Sequence, residues 1–288
     1  MKTYNIAKDL LLIRRYFNLS QQALANELHT TRLNVNRWEN SYSFPRLIEI
    51  ENIYSFAYKD NSKLDLNKAK SMLYEENKKK KILLFHGTNN TIVTDPDNKH
   101  SKDPNDFGDG FYLGESLNQA ATWVCNEDNA SIYLFYFDTH KLKCKTFNVD
   151  KEWMYAVLYY RGALKGYEIT EEIQKIIKEV EEADYLIVPI ADNQMYDVLS
   201  MFKRGEITDE ACIHSLSATN LGSQYVLKSD KSFKYLESVD RLYLCQKEKE
   251  SYTNAKRIQT NNSEAKAEIA RIEYRREGKY FDELFKKS

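Results

Sequence analysis

The sequence predicts an α+β protein with a small all-α segment, then a mixed α+β domain, then a C-terminal helix. Three observations carry that expectation. Over the first 58 residues apolar side chains recur at helical spacing. From Ile82 onward, short β-prone runs are scattered among helical segments, without the regular strand–helix alternation of a doubly wound sheet. From Ser263 the pattern is helical again.

In chain order, Ile6, Leu10, Leu11 and Ile13 give a first helix its apolar face. Ser20 is placed to cap a second helix over Gln21 to Leu28, where Ala23, Leu24 and Leu28 recur on one side. His29 and Thr30 form a turn, and Thr31 caps a third helix, Arg32 to Asn40, that buries Val35 and Trp38. Pro45 breaks the chain before a fourth amphipathic helix carrying Leu47, Ile50, Ile53, Tyr54 and Ala57. Two short helices joined by a tight turn inside a small bundle make a helix-turn-helix. Residues 61–80, which lead into the run Lys78 to Lys81, read as a solvated linker, with a nucleic-acid clamp as the alternative for the lysines. The expected organisation is therefore 1–60, linker 61–80, a mixed domain 81–250 and a helical tail 251–288. In the mixed domain, Lys81 to His86 is a buried strand that stops at Gly87 and Thr88, and Ser131 to Phe137 alternates as a strand does. Glu171 to Glu182 reads as a helix; Tyr185 to Ile190, Gln224 to Lys228 and Arg241 to Leu244 read as strands. Trp123, on a helix after Asn118-Gln119-Ala120, reads as a core residue, with a wall of the cleft as the alternative. In the tail, Ile269 and Ile272 lie on one side of a helix, followed by the apolar Tyr280, Phe281, Leu284 and Phe285.

Two domains fit a length of 288 residues. The contents of 42% hydrophobic and 30% charged residues fit a globular chain, and 21 Tyr and 13 Phe against nine Gly and four Pro favour dense regular structure. Cys125, Cys144, Cys212 and Cys245 form no C-x-x-C pair, so neither a disulfide framework nor a metal site is expected. No run of about 18 apolar residues and no signal-peptide progression is present, so no membrane contact and a cytoplasmic location are expected. The net charge of −1 is uneven, at +2 over residues 1–60, −6 over 61–245 and +3 over 246–288. Nucleic-acid contact is thereby expected at the ends.

The segment Leu19-Ser20-Gln21-Gln22-Ala23-Leu24-Ala25 through Asn36-Arg37-Trp38-Glu39-Asn40 resembles the phage-repressor or Cro family of helix-turn-helix domains over residues 5–58. The resemblance implies that Gln21 meets the DNA backbone, that Thr31, Arg32, Leu33 and Arg37 face the major groove, and that Asn36 and Asn40 lie near phosphates. An Arg can grip guanine through two hydrogen bonds, and Leu33 can touch a thymine methyl. His29 stands at a turn position where that family has Gly, at a backbone dihedral His tolerates better than most residues. A helical bundle used for protein contact is the alternative.

Three further motifs occur in order: Leu84-Phe85-His86-Gly87-Thr88, then Asp106-Phe107-Gly108-Asp109-Gly110-Phe111-Tyr112-Leu113, then Ser223-Gln224-Tyr225-Val226-Leu227. Over about residues 82–240 the chain resembles the diphtheria-toxin and poly(ADP-ribose)-polymerase-like ADP-ribosyltransferases. It is similar in particular to a bacterial family of unknown function placed with them, through Asp106-Phe107-Gly108, Ala183-Asp184, Pro189-Ile190-Ala191-Asp192 and Gln224-Tyr225-Val226. The resemblance implies a split antiparallel sheet, NAD as substrate and a His86, Tyr112 and Gln224 triad, with His86, Gly87, Thr88, Phe107, Gly110 and Tyr112 holding the dinucleotide. Breaking the glycosidic bond of NAD passes through an oxocarbenium-like sugar, so a catalyst must hold the ring, fix the ribose and stabilise developing positive charge. His86 can bond a ribose hydroxyl, Gly87 lets backbone groups approach the carboxamide, and Tyr112 can stack on nicotinamide. Phe107 either closes on the dinucleotide or anchors packing.

The sequence departs from the family at the third position, where Gln224 replaces an acidic residue. An amide can hold a ribose hydroxyl but cannot take a proton. Two readings follow: a mono-ADP-ribosyltransferase using a carboxylate from elsewhere or from its target, or a regulator that binds NAD or ADP-ribose without turnover. Asp106, Asp109 and Asp192 are the candidate carboxylates, each of which also reads as a turn or cap aspartate. The resemblance further implies an unidentified macromolecular acceptor, DNA bound by the N-terminal domain, and the setting of a toxin–antitoxin or phage-defence system with an antitoxin partner.

Overall fold

The computed structural model describes residues 3–58, 64–97, 105–190, 193–219 and 222–287. It is mixed α+β, with thirteen helices and seven strands among the described residues. The chain divides into two compact units. The first comprises 1–94, 116–138 and 237–255; the second comprises 95–115, 139–236 and 256–288.

The first unit opens with α1 (Ile6–Tyr16), α2 (Gln21–Glu27), α3 (Arg32–Glu39) and α4 (Leu47–Ala57). The Ser20 hydroxyl accepts from the Ala23 N–H and the Thr31 hydroxyl from the Asn34 N–H, so both residues cap their helices. Between these helices His29 has φ 51°, a left-handed turn made by a residue other than glycine. Leu10, Ile13, Leu24, Val35, Trp38, Ile50, Ile53 and Tyr54 form the core. Two expectations shift. In α1 the fully buried positions are Ile6, Asp9, Leu10 and Ile13, with Leu11 only half-buried. Leu47 and Ile48, at the start of α4, are 69% and 61% exposed, because the first turn of the helix precedes its buried stripe.

Within the stretch read as linker lies α5 (Leu66–Asn77), capped by Asp65, with Asn67 and Lys70 buried. Its polar sequence hides its role, because the partners that satisfy those groups are remote. Lys70 is wedged between Asp9 on α1, at 2.8 Å, and Asp240 on β7 (Leu236–Tyr243), at 3.0 Å. The Tyr54 hydroxyl donates to Asp9 and the Tyr74 hydroxyl to Asp240. Burial raises the pKa of Asp9, against the pull of the Lys70 charge. Asn67 donates to the Tyr243 carbonyl and to both carboxylate oxygens of Glu248.

The first unit also contains β1 (Ile82–Thr88), α6 (Leu117–Val124), β3 (Ser131–Phe137) and β7, in the strand order β1-β3-β7, with α6 covering one face. Instead of stopping at His86, β1 pairs antiparallel with β3 through Gly87↔Ile132 and Thr88↔Ser131. Trp123, expected in the core, is 67% exposed on α6; the buried side of that helix is Leu117, Ala120, Ala121 and Val124.

The second unit carries β2 (Phe111–Gly114), β4 (Cys144–Thr146), β5 (Tyr185–Pro189) and β6 (Ser223–Leu227), in the order β4-β5-β6-β2. Pairing is antiparallel except between β4 and β5, which run parallel. Helices α7 (Lys151–Tyr160), α8 (Glu171–Glu181), α9 (Asn193–Lys203), α10 (Asp209–Ala218), α11 (Asp230–Phe233) and α13 (Phe281–Leu284) accompany them. Consecutive buried residues from Trp153 to Leu158 make α7 apolar on nearly every side, which erases the one-sided periodicity that marks a helix in sequence. The tail helix α12 (Gln246–Glu273) begins well before Ser263. Its Ile269 and Ile272 are exposed, while Ala267 and Ala270 are buried.

Candidate functional site

His86 sits in the last half of β1. Alternation along the strand sends Leu83 and Phe85 to the α6 side, so Gly87 shares that side and His86 faces the other way with Leu84 and Thr88. The reason for glycine at position 87 is visible. A Cβ there would stand 2.4 Å from the Ala120 carbonyl oxygen and 3.0 Å from Val124 Cγ1. The backbone of α6 therefore lies directly on Gly87, and any side chain would push the helix away. Thr88 turns its hydroxyl back to accept from the Asn90 N–H.

In the second unit the residues before β2 form a tightly held turn. Asp106 is 5% exposed and accepts from Arg161 Nε at 2.8 Å and from the Tyr196 hydroxyl at 2.7 Å. Burial raises its pKa, with the Tyr196 hydrogen bond and the Arg161 charge pulling the other way. Phe107 is fully buried beside Phe147 and Tyr160, as a packing anchor would be. Gly108 has φ 68°, the left-handed region in which glycine alone is unstrained. Gly110 packs so closely on β6 that a Cβ would lie 2.7 Å from Val226 Cγ1.

Tyr112 closes this turn on itself. Its hydroxyl donates to the Gly108 carbonyl at 2.8 Å and accepts from the Phe107 N–H at 3.2 Å. Burial pushes the phenol far above its ordinary pKa, so it stays protonated and is no general base. The β2–β6 register pairs Tyr112 with Val226 and Gly114 with Gln224. Tyr112 and Gln224 thus share one face of adjacent strands, diagonally related, within reach for long side chains. Beyond β6, Lys228 donates from Nζ to the carbonyls of Phe107 and Asp109, each at 2.6 Å.

Of the candidate carboxylates, Asp106 is engaged by Arg161 and Tyr196, Asp109 is exposed, and Asp192 lies outside the described residues. Asp184 is committed to the Lys143 N–H, Ser229 and Lys231. Nothing in the sequence singles out Arg161 or Tyr196; the available hint for Lys228 is a cation directly after the apolar Tyr225-Val226-Leu227.

On the N-terminal helices, Arg32, Leu33 and Arg37 are exposed, Leu33 at 58%. Leu33, Asn36, Arg37 and Asn40 follow helical spacing along one face of α3, with Thr31 at its cap. Gln21 donates to Glu39 at 2.7 Å, and Glu39 also binds Arg14. Asn36 donates weakly to Gln21 at 3.5 Å, and the Asn40 amide to the Asn36 carbonyl at 2.8 Å. These contacts brace α2 against α3 while leaving the two arginines outward.

A concavity of about 350 Å³ in the first unit is lined by Cys125, Asn126, Glu127, Asp128, Lys249 and neighbours, none of them a residue expected from the motifs. No helix among the described residues is long and apolar enough to cross a membrane. No curated protein and no solved structure matches this chain. Residues 82–238, from the first residue of β1 into β7, match a family described as Protein of unknown function (DUF3990). Since that match spans more than half of the chain, the protein belongs to the DUF3990 family.

Proposed function

We propose that this chain is an NAD-dependent mono-ADP-ribosyltransferase carrying a helix-turn-helix DNA-binding region at its N-terminus. The observation that most supports the enzymatic half is the β2–β6 register, with Tyr112 and Gln224 on one face of paired strands and the Tyr112 phenol held by its own turn. In this reading the Tyr112 ring stacks on nicotinamide. His86 hydrogen-bonds a hydroxyl of the adjacent ribose, and Gln224 holds the ribose 2′-hydroxyl. The bond between the ribose C1′ and the nicotinamide nitrogen breaks, its electron pair leaving with nicotinamide. A nucleophile on the acceptor then forms a new bond to C1′ and gives up its proton. Since Gln224 cannot take that proton, it passes to a carboxylate elsewhere or to a group on the acceptor. A macromolecular acceptor, an antitoxin partner and a role in a toxin–antitoxin or defence system belong to the same proposal.

The N-terminal half of the proposal rests on α2 and α3, whose caps, left-handed turn at His29 and outward Arg32 and Arg37 suit a reading helix laid in the major groove. A second reading is favoured by one observation, the amide at position 224: a transcriptional regulator that binds NAD or ADP-ribose without turnover.

Incubating the full chain with radiolabelled NAD and a cell lysate separates the two. Released nicotinamide and a labelled macromolecule, both lost in His86→Ala and Tyr112→Ala, support the transferase. Tight NAD binding with no release under any condition supports the regulator instead. DNA affinity unchanged by Arg32→Ala and Arg37→Ala would sink the reading helix.

A further inference from the structure

Lys228 occupies an unusual place. A lysine at the end of a strand ordinarily extends its ammonium into water. Here Nζ turns onto the backbone of a turn more than a hundred residues earlier. Its hydrogen bonds, 2.6 Å each, go to the carbonyl oxygens of Phe107 and Asp109. It also lies over the Tyr160 ring at 5.6 Å from the centroid.

Those two carbonyls flank Gly108, which has a φ of 68°, and both oxygens converge on the one ammonium. Two converging carbonyl dipoles repel, and a cation between them removes the repulsion. The same turn contains both atoms that hold the Tyr112 hydroxyl, the Gly108 carbonyl and the Phe107 N–H. Asp106, bound to Arg161 and Tyr196, fixes the near end of the turn, and buried Phe107 fixes its middle. The far end, at Asp109 and Gly110, has the Lys228 ammonium and the close contact of Gly110 with Val226.

We propose that Lys228 is a positioning residue for Tyr112: by drawing the Phe107 and Asp109 carbonyls together it sets the turn that orients the Tyr112 ring. The inference rests on the reading of Tyr112 as the residue that stacks on nicotinamide. Lys228 acts through Tyr112 and touches no reacting atom. The charge matters more than the shape of the side chain, so arginine, which can also donate to two carbonyls, substitutes better than methionine of similar length.

A double-mutant cycle in the full chain tests this, with NAD itself as the probe and its dissociation constant read by calorimetry. Lys228→Met is expected to weaken NAD binding about tenfold when Tyr112 is present and less than about twofold in a Tyr112→Ala background. Lys228→Arg is expected to restore most of the loss. Amide hydrogen exchange should rise over residues 105–112 in Lys228→Met, with the strands β5 and β6 staying protected. The same loss of affinity in both backgrounds, or none in either, overturns the proposal, as does a rise in exchange spread evenly over the unit. Should Lys228→Met fail to fold, Lys228→Gln and Lys228→Arg carry the same comparison. If the unaltered chain binds no NAD, the reading of Tyr112 falls, and the exchange measurement alone decides whether Lys228 sets the turn: unchanged protection over 105–112 refutes that too.

Discussion

Asp9, Lys70 and Asp240 in the first unit come from α1, α5 and β7, elements far apart in sequence, whereas Asp106, Phe107, Gly108 and Asp109 in the second unit are consecutive. Both places bury a carboxylate against a cation, and in both burial raises the carboxyl pKa. The first cluster ties three elements of a scaffold together and presents nothing outward; Lys70 and both aspartates are 3% exposed or less. The second holds one short turn, and that turn fixes Tyr112. Both clusters draw their partners from distant residues, but charge burial that joins three elements serves cohesion, and charge burial gathered on one turn serves aim.

Four substitutions test whether the two clusters differ in this way. The largest effect belongs to Lys70→Met, which strands two buried carboxylates and is expected to cost about 3–5 kcal/mol in denaturant unfolding. A near-neutral result would mean that the cluster holds nothing together. Next is Glu248, 3% exposed, whose pKa burial pushes up to about 8 despite the Asn67 hydrogen bonds. A folded pKa raised above the unfolded value contributes stability that is complete below the ordinary value near 4.5 and is lost as pH rises through about 8. Glu248→Gln should therefore gain on the unaltered chain as pH rises from 5 to 8.5, by on the order of a few kcal/mol; parallel stability curves would remove Glu248 from the scaffold's ledger of buried charge. Smaller is Gly87→Ala, expected to cost about 1–3 kcal/mol because its methyl meets the α6 backbone. An unchanged unfolding midpoint would show that α6 does not press on β1. Smallest in stability is Asp106→Asn, which keeps the shape and loses the charge, at about 1–2 kcal/mol. Its effect should concentrate in hydrogen exchange over residues 105–112, and exchange spread through the unit would erase the contrast between aim and cohesion.

Much of the helical N-terminus is legible in the sequence, because its determinants are local. Ser20 and Thr31 meet N–H groups three residues on, and Ile6, Leu10 and Ile13 recur at the helical period. Strands β1, β3, β5 and β6 are legible for a related reason, each being a short apolar run bounded by breakers. Helix α5 is not, since Asn67 and Lys70 look solvated until Glu248, Asp9 and Asp240 are brought to them. Nor is α7, buried on too many sides to show a stripe. Exposure of Trp123, Leu47 and Ile269 escapes the sequence as well, because hydrophobicity predicts burial only when a partner surface exists. In the candidate site, the His-Gly pair, the Gly-x-Tyr strand and Gln224 are readable as motifs. The work of Asp106 and Lys228 is not, because Arg161, Tyr196 and the two carbonyls are supplied by distant residues.

By itself the sequence determined where most elements lie and that Ser20 and Thr31 cap two of them, and it set glycine at 87, 108 and 110. Those are consequences of backbone geometry over three or four residues. Only the tertiary structure decided why the glycines are needed: one lies under the α6 backbone, one takes a left-handed turn, and one rests against Val226. It likewise decided which charges are buried and what they hold, because a charge leaves water only where folding delivers its counterpart, and the counterpart's position is not written near it in the chain.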